Sequence, residues 1–266
     1  ITGPTKNVDA HLQRRLNPST NPNSDVAALR AKWSRARYVP FTAERPAPPL
    51  APPRAVAAAP SAGAVDGAGP LTGTADEVRA VAAPTAATTI RVVNRDCLAA
   101  AKQLTSSGAF RRVGVLNMAN EFNCGGAFSV MPGSQEEYLF HNTTLGVSLW
   151  PHRRMDQDAK RPWEVGTQLV GAPSEAQRWY PWTELGGVTT YDVEVFAISD
   201  EVLAASEWFD VTVLSIAAQD MRPATYNPRA GRPFDAALLH EKLRTLFTMA
   251  VESGCDALVL GALGCG

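Results

Sequence analysis

The chain predicts a layered α/β/α domain with a mixed or largely parallel central sheet, and three observations lead there. Strand-like and helix-like runs alternate from residue 88 onward. Apolar residues make up 45% of the 266 and charged residues 19%, enough to bury a sizeable core. No window of about 18 apolar residues is free of charge and proline, so no membrane-spanning helix is expected.

The elements follow in order. SDVAALRAKWSRARY reads as a helix, with Ser24 or Asp25 to cap it and Leu29, Trp33 and Tyr38 to pack it. Residues 40–85 hold nine of the twenty prolines among Ala and Gly, and predict an extended, weakly ordered segment. The expected division is therefore a basic helical and Pro/Ala-rich extension over 1–85, partly disordered, and a packed domain over 86–266. Within the latter, β-branched TTIRVVN (88–94) reads as a strand and DCLAAAKQL (96–104) as a helix capped by Asp96. RRVGVLNMAN (111–120) is a second strand. SQEEYLFHNTTLGVSL (134–149) opens with a capping-box pair, Ser134 and Glu137, and continues as a helix. YDVEVFAI (191–198) and DVTVLSIAA (210–218) are further strands, and 234–254 is an amphipathic helix ending at Gly254. CDALVLGALGCG (255–266) reads as a buried strand running into a glycine turn. Residues 150–190 show no clear period. Their Trp150, Trp163, Trp179 and Trp182 either belong to a lid or, in the favoured reading, pin a long insertion to the core.

Charge and cysteines narrow the class. With 25 Lys+Arg against 26 Asp+Glu, neither a generally basic nucleic-acid binder nor an acidic disordered chain fits. Residues 1–45 are the basic exception, with eight Lys/Arg against Asp9, Asp25 and Glu44. ITGPTKNVDA lacks the apolar run of a signal peptide, although Ile1 leaves a trimmed start open. Cys97, Cys124, Cys255 and Cys265 form no CxxC pair and the four histidines lack zinc spacing. Free thiols in a reducing, intracellular compartment are expected, cytoplasmic or nuclear.

The chemistry concentrates in GVLNMANEFNCGGAFSVMPGSQEEYLF (114–140). A strand ends at Asn120, a loop leads to Gly125, Gly126 and Ala127, and Gln135, Glu136 and Glu137 open a helix. Small residues let backbone amides approach an anion. Adjacent carboxylates raise the pKa of one of the two, which suits proton donation to a glycosidic or phosphoryl leaving group. Taken singly, a Gly-Gly step is also an ordinary tight turn, and a Glu-Glu pair at a helix start also serves the helix dipole. His141 reads as an ordinary histidine, Cys124 as a loop-filling residue and Cys265 as a small side chain in a turn.

Taken together, GGA, then FSVMPGS, then QEE resembles the GGG–X(6–8)–QEE signature of poly(ADP-ribose) glycohydrolases of the microbial type. VLNMAN, TIRVVNRDCLAAAKQL, YDVEVFAIS, FDVTVLSIAAQDMRP and ALVLGALGCG resemble the surrounding strands, helix and second phosphate loop. The likeness spans roughly 88–266, with 150–190 poorly matched.

The resemblance implies a macrodomain-like fold and hydrolysis of ribose–ribose O-glycosidic bonds in poly(ADP-ribose), mainly exo-acting, releasing ADP-ribose. Glu137 is then the catalytic acid, Glu136 holds ribose hydroxyls, Gln135 supports them and Asn120 binds the distal ribose. Amides of Gly125, Gly126 and Ala127 line one side of the diphosphate, and those of Gly264, Cys265 and Gly266 the other. Asp96 either meets the adenine amine or only caps its helix. No metal and no cofactor are implied. Poly(ADP-ribose) and ADP-ribosylated proteins are the partners, ADP-ribose the product and the DNA damage response the setting, with no membrane or direct DNA contact and a monomeric state. A non-catalytic ADP-ribose reader and a mono-ADP-ribosyl hydrolase are the alternatives. Ala127 departs from the third glycine. The family continues past the second phosphate loop, so the domain is expected to be incompletely represented at its C-terminal end.

Overall fold

The computed structural model describes residues 10–13, 26–33, 35–39, 88–128, 133–157, 174, 177–223 and 229–265. Its main sheet contains β1 (Ala36–Val39), β2 (Val113–Met118), β3 (Gly187–Val195), β6 (Phe209–Ile216) and β7 (Ala257–Val259). Their order is β1-β3-β6-β2-β7. β1 and β3 are antiparallel, as are β3 and β6, whereas β6, β2 and β7 run parallel. The sheet is therefore mixed. A bulge interrupts β3 between Thr190 and Val193, where Asp192 takes a φ of 52°. β4 (Ala197–Ile198) and β5 (Glu201–Val202) form a separate small hairpin.

Alternation along β2 makes the sheet two-faced. Val113 and Val115 join a core with Leu98, Ala101, Leu139 and Leu145. Leu116 turns the other way, to Leu214, Ile216, Leu246, Met249 and Ala250. On the first face lie α1 (Val26–Trp33), α2 (Cys97–Ser106), α3 (Gln135–Asn142) and α4 (Leu145–Leu149); on the second lies α5 (Ala236–Glu252). These are the three expected layers. α5 buries Lys242, Thr245, Leu246, Met249 and Ala250, the stripe of a 3.6-residue period. Asp235 caps its start through Ala237 and Leu238 N–H, and Gly254 follows its end with a φ of 73°.

The sheet departs from expectation at both ends. The helix expected through Tyr38 stops at Trp33, and Ala36–Val39 becomes an edge strand on β3. His11 and Leu12 are fully buried; His11 stacks on Phe196 at 4.1 Å and its Nε2 lies 2.8 Å from Glu194 Oε1. Lys32 Nζ reaches Asp210 at 2.8 Å. Parts of the first 39 residues thus pack on the domain expected to begin at 86. Residues 88–94 form no strand: Ile90 is 85% exposed and Val92 97%. Among the described residues their β-branched composition meets no partner edge, and β-propensity is realised only through pairing and packing. The buried strand expected over 255–266 is the three half-buried residues of β7. The helix expected over 134–149 breaks at Thr143, which bridges to Val195 instead. Trp150 and Trp182 are buried in the core, as pinning requires, and Trp163 lies outside the described residues, as do 40–87. All four cysteines are free. No described helix is long and apolar enough to cross a membrane.

Candidate active site

The site forms where β2 leaves the sheet and α3 begins beside it. Gln135, first residue of α3, ties the two together: its Oε1 accepts the N–H of Met118 at 2.9 Å and its Nε2 donates to the carbonyl of Leu116 at 2.7 Å. The side-chain amide thus acts as one more ladder partner at the end of β2, which sets the helix N-terminus against the loop.

Glu136 and Glu137 point from α3 into that loop and both are buried. Glu136 Oε2 accepts the N–H of Asn120 at 2.8 Å. Glu137 Oε1 accepts the N–H of Ala127 at 2.9 Å and its Oε2 that of Ser134 at 2.7 Å, the expected capping contact. Burial pushes Glu136 well above the usual carboxylate range; the neighbouring Glu137 carboxylate adds to this, against the N–H of Asn120.

Two glycines allow this approach. Gly125 and Gly126 have φ of 75° and 57°. A Cβ on Gly126 would stand 2.5 Å from Glu137 Oε1 and 3.1 Å from Glu136 Oε2; on Gly125 it would stand 2.5 Å from the Phe140 ring. Among the described residues, positive φ outside glycine occurs only at Asp192, Ser199 and Asp200, so Ala127 has an ordinary backbone and its methyl costs no strain. The amides of the strip face the protein: Gly126 N–H donates to Asn123 O at 3.0 Å, Ala127 N–H to Glu137, and that of Gly125 faces Glu136. The strip therefore offers a ligand small side chains and close approach, while its donors hold the carboxylates.

The remaining expected residues fall as follows. Asn120 Oδ1 accepts from Phe122 and Asn123 N–H at 2.8 and 2.9 Å, an Asx turn that shapes the loop. Asp96 caps α2, with Oδ1 accepting from Leu98 and Ala99 N–H, and its carboxylate lies near Tyr138. Gly264 has a φ of 83° in the turn after β7, and Cys265 N–H donates to Ala262 O at 3.1 Å. Gly266 lies outside the described residues. His141, one turn after Glu137, is buried, and burial pushes its pKa down against the carboxylates of Asp200 and Glu137.

Sequence reasoning missed the residues behind the loop. Gln157 holds Cys124 by both main-chain groups, its Oε1 accepting the N–H at 3.2 Å and its Nε2 donating to the carbonyl at 3.4 Å. Glu121 meets Arg229 and Lys242, and its carbonyl accepts Trp182 N–H at 2.9 Å. One signal was present: Lys242 occupies the apolar stripe of an amphipathic helix, where an unpaired charge does not belong.

Known proteins resemble this chain in sequence and fold. Residues 62–163, which include the loop and both carboxylates, match the family described as microbial-type PARG, catalytic domain. A poly(ADP-ribose) glycohydrolase from Thermomonospora curvata is 25% identical with a TM-score of 0.50, over 71% of this chain and 62% of that protein. One from Deinococcus radiodurans in complex with ADP-ribose is 23% identical with a TM-score of 0.49, over 67% of this chain and 64% of the other. The chain therefore spans less than two thirds of the length of these proteins. No curated protein matches it. The resemblance carried by GGA, FSVMPGS and QEE is thus borne out: in family signature and in its mixed α/β, macrodomain-like fold, the chain is similar to the microbial-type poly(ADP-ribose) glycohydrolase catalytic domain.

Proposed function

We propose that this protein hydrolyses ribose–ribose O-glycosidic bonds of poly(ADP-ribose), acting mainly from the chain end and releasing ADP-ribose. The observation that carries the reading is the carboxylate pair fixed beside the glycine strip, with Ala127 N–H on Glu137 Oε1 at 2.9 Å. Glu137 gives its proton to the departing ribose hydroxyl as the C–O bond breaks. As a carboxylate, it then takes a proton from the water that attacks the oxocarbenium-like sugar carbon. Glu136 holds the ribose hydroxyls, and Gln135 fixes both glutamates by anchoring α3 to β2. Burial pushes Glu136 well above the usual carboxylate range.

Asn120 shapes the loop for the distal ribose. Gly125, Gly126 and Ala127 flank the diphosphate through their small size, with Gly264 and Cys265 opposite. Asp96 and Tyr138 stand together for the adenine side. Partners under this reading are poly(ADP-ribose) and the proteins that carry it, and the protein works as a monomer in an intracellular compartment. The reader alternative draws its support only from Ala127, and the ordinary backbone there removes the distortion on which it depended. Release of ADP-ribose from an automodified poly(ADP-ribosyl)ated protein tests the reading, and binding without release would favour the reader.

A further inference from the structure

Five charged residues gather behind the start of the glycine loop, drawn from three separate stretches of chain. Glu121 follows Asn120 and is 8% exposed; Lys242, from the middle of α5, is 1% exposed. One carboxylate oxygen of Glu121 lies 3.1 Å from Arg229 Nη1 and the other 3.6 Å from Lys242 Nζ. Lys242 also donates to the carbonyl of Glu184, and Arg232 pairs with the Glu184 carboxylate. Arg229 donates twice to Trp182 O at 3.0 Å and lies over the Phe122 ring at 5.3 Å. Arg232 Nε closes the group on Arg229 O at 2.9 Å.

This is costly structure for packing alone. Burial pushes Glu121 up and Lys242 down from their ordinary values, so each charge needs the other to persist. What it secures is position. Glu121 is held at its carbonyl by Trp182 N–H and at both carboxylate oxygens by cations. The residue before it presents the N–H that holds Glu136 and the Oδ1 that turns the loop.

We propose that Glu121, Arg229 and Lys242 form a charge clamp of positioning residues that sets the Asn120–Ala127 loop in its ligand-ready shape. None of them is placed against the reacting atoms. The inference rests on the reading of this loop as the ADP-ribose site. It predicts that the clamp governs ligand affinity and the ordering of the loop more than the intrinsic proton transfer, because Glu137 is carried by α3.

The test measures ADP-ribose affinity, KM and kcat on poly(ADP-ribose), and thermal unfolding for wild type, R229Q, K242M, E121Q and the double variant E121Q/K242M. Wild type comes first: if it neither binds ADP-ribose nor releases it, the functional reading fails before the clamp is reached. If wild type is active, R229Q, the least buried change, should weaken ADP-ribose binding and raise KM about tenfold while kcat falls less than threefold. E121Q and K242M, each leaving a buried charge alone, should be weaker still or unfold. E121Q/K242M, which removes both buried charges, should recover folding relative to the single variants while its affinity stays as weak as that of R229Q or weaker. Wild-type affinity and KM in R229Q with normal unfolding would overturn the proposal. So would a folded double variant with wild-type affinity.

Discussion

Glu136 and Glu137 are adjacent in sequence, yet they sit in different surroundings. Glu137 receives an N–H on each oxygen, from Ala127 and Ser134, while burial pushes Glu136 well above the usual carboxylate range. A carboxyl raised in the folded state binds its proton more tightly there than in the unfolded chain. Its contribution is therefore fully present below the unfolded pKa of about 4.3. It is lost as pH rises toward and through the folded value. Glu136→Gln removes that dependence, so its melting temperature should gain on wild type steadily from about pH 4.5 to neutrality. A difference that stays flat with pH would show that Glu136 is not a proton-retaining group. At Ala127 the ordinary backbone means that glycine adds only unfolded-state entropy, about 0.5–1 kcal/mol. Ala127→Gly should then change turnover only a few fold, whereas a gain of about tenfold, 1.4 kcal/mol in the barrier, would mean that the methyl distorts the native loop. These residues were legible in the sequence because their chemistry is local: a glycine pair, a spacing and a carboxylate pair within 13 residues. The clamp at Glu121, Arg229 and Lys242 was not, since its members lie up to 121 positions apart and only the fold brings them together.

At the scale of elements, helices with caps were read closest to their bounds. Asp96 and Asp235 cap α2 and α5 as expected, since the cap and the apolar stripe are both written locally. Strands were read less well, because a strand exists only with a partner. TTIRVVN has the composition and no ladder; ARYV, whose first three residues end a segment read as helix, has a ladder on β3. This edge strand carries a prediction. Removing residues 1–39 takes away β1, the Lys32–Asp210 pair and the buried His11 and Leu12, and uncovers the edge of β3. The shortened chain should melt at least about 5 °C below wild type, a loss of one to two kcal/mol in a domain this size. Since β1 lies at the far edge of the sheet from β2, the folded fraction should keep its turnover. An unchanged melting temperature would show that the N-terminal elements only decorate the domain.

For the molecule as a whole, the mixed sheet sets the loop after β2 and the start of α3 side by side, and the functional reading depends on that juxtaposition. Its central claim is that Glu137 moves the proton while the rest of the site binds. The most direct measurement compares wild type with Glu137→Gln on automodified poly(ADP-ribosyl)ated protein, following ADP-ribose release alongside ADP-ribose affinity. Gln keeps the shape and can still accept the Ala127 N–H, giving up the contact from Ser134, but it cannot give or take the proton. The account predicts that release falls about 10²–10⁴-fold, with affinity changed by no more than a few fold. Turnover near wild type in Glu137→Gln, or no release of ADP-ribose by the wild-type protein, would contradict it.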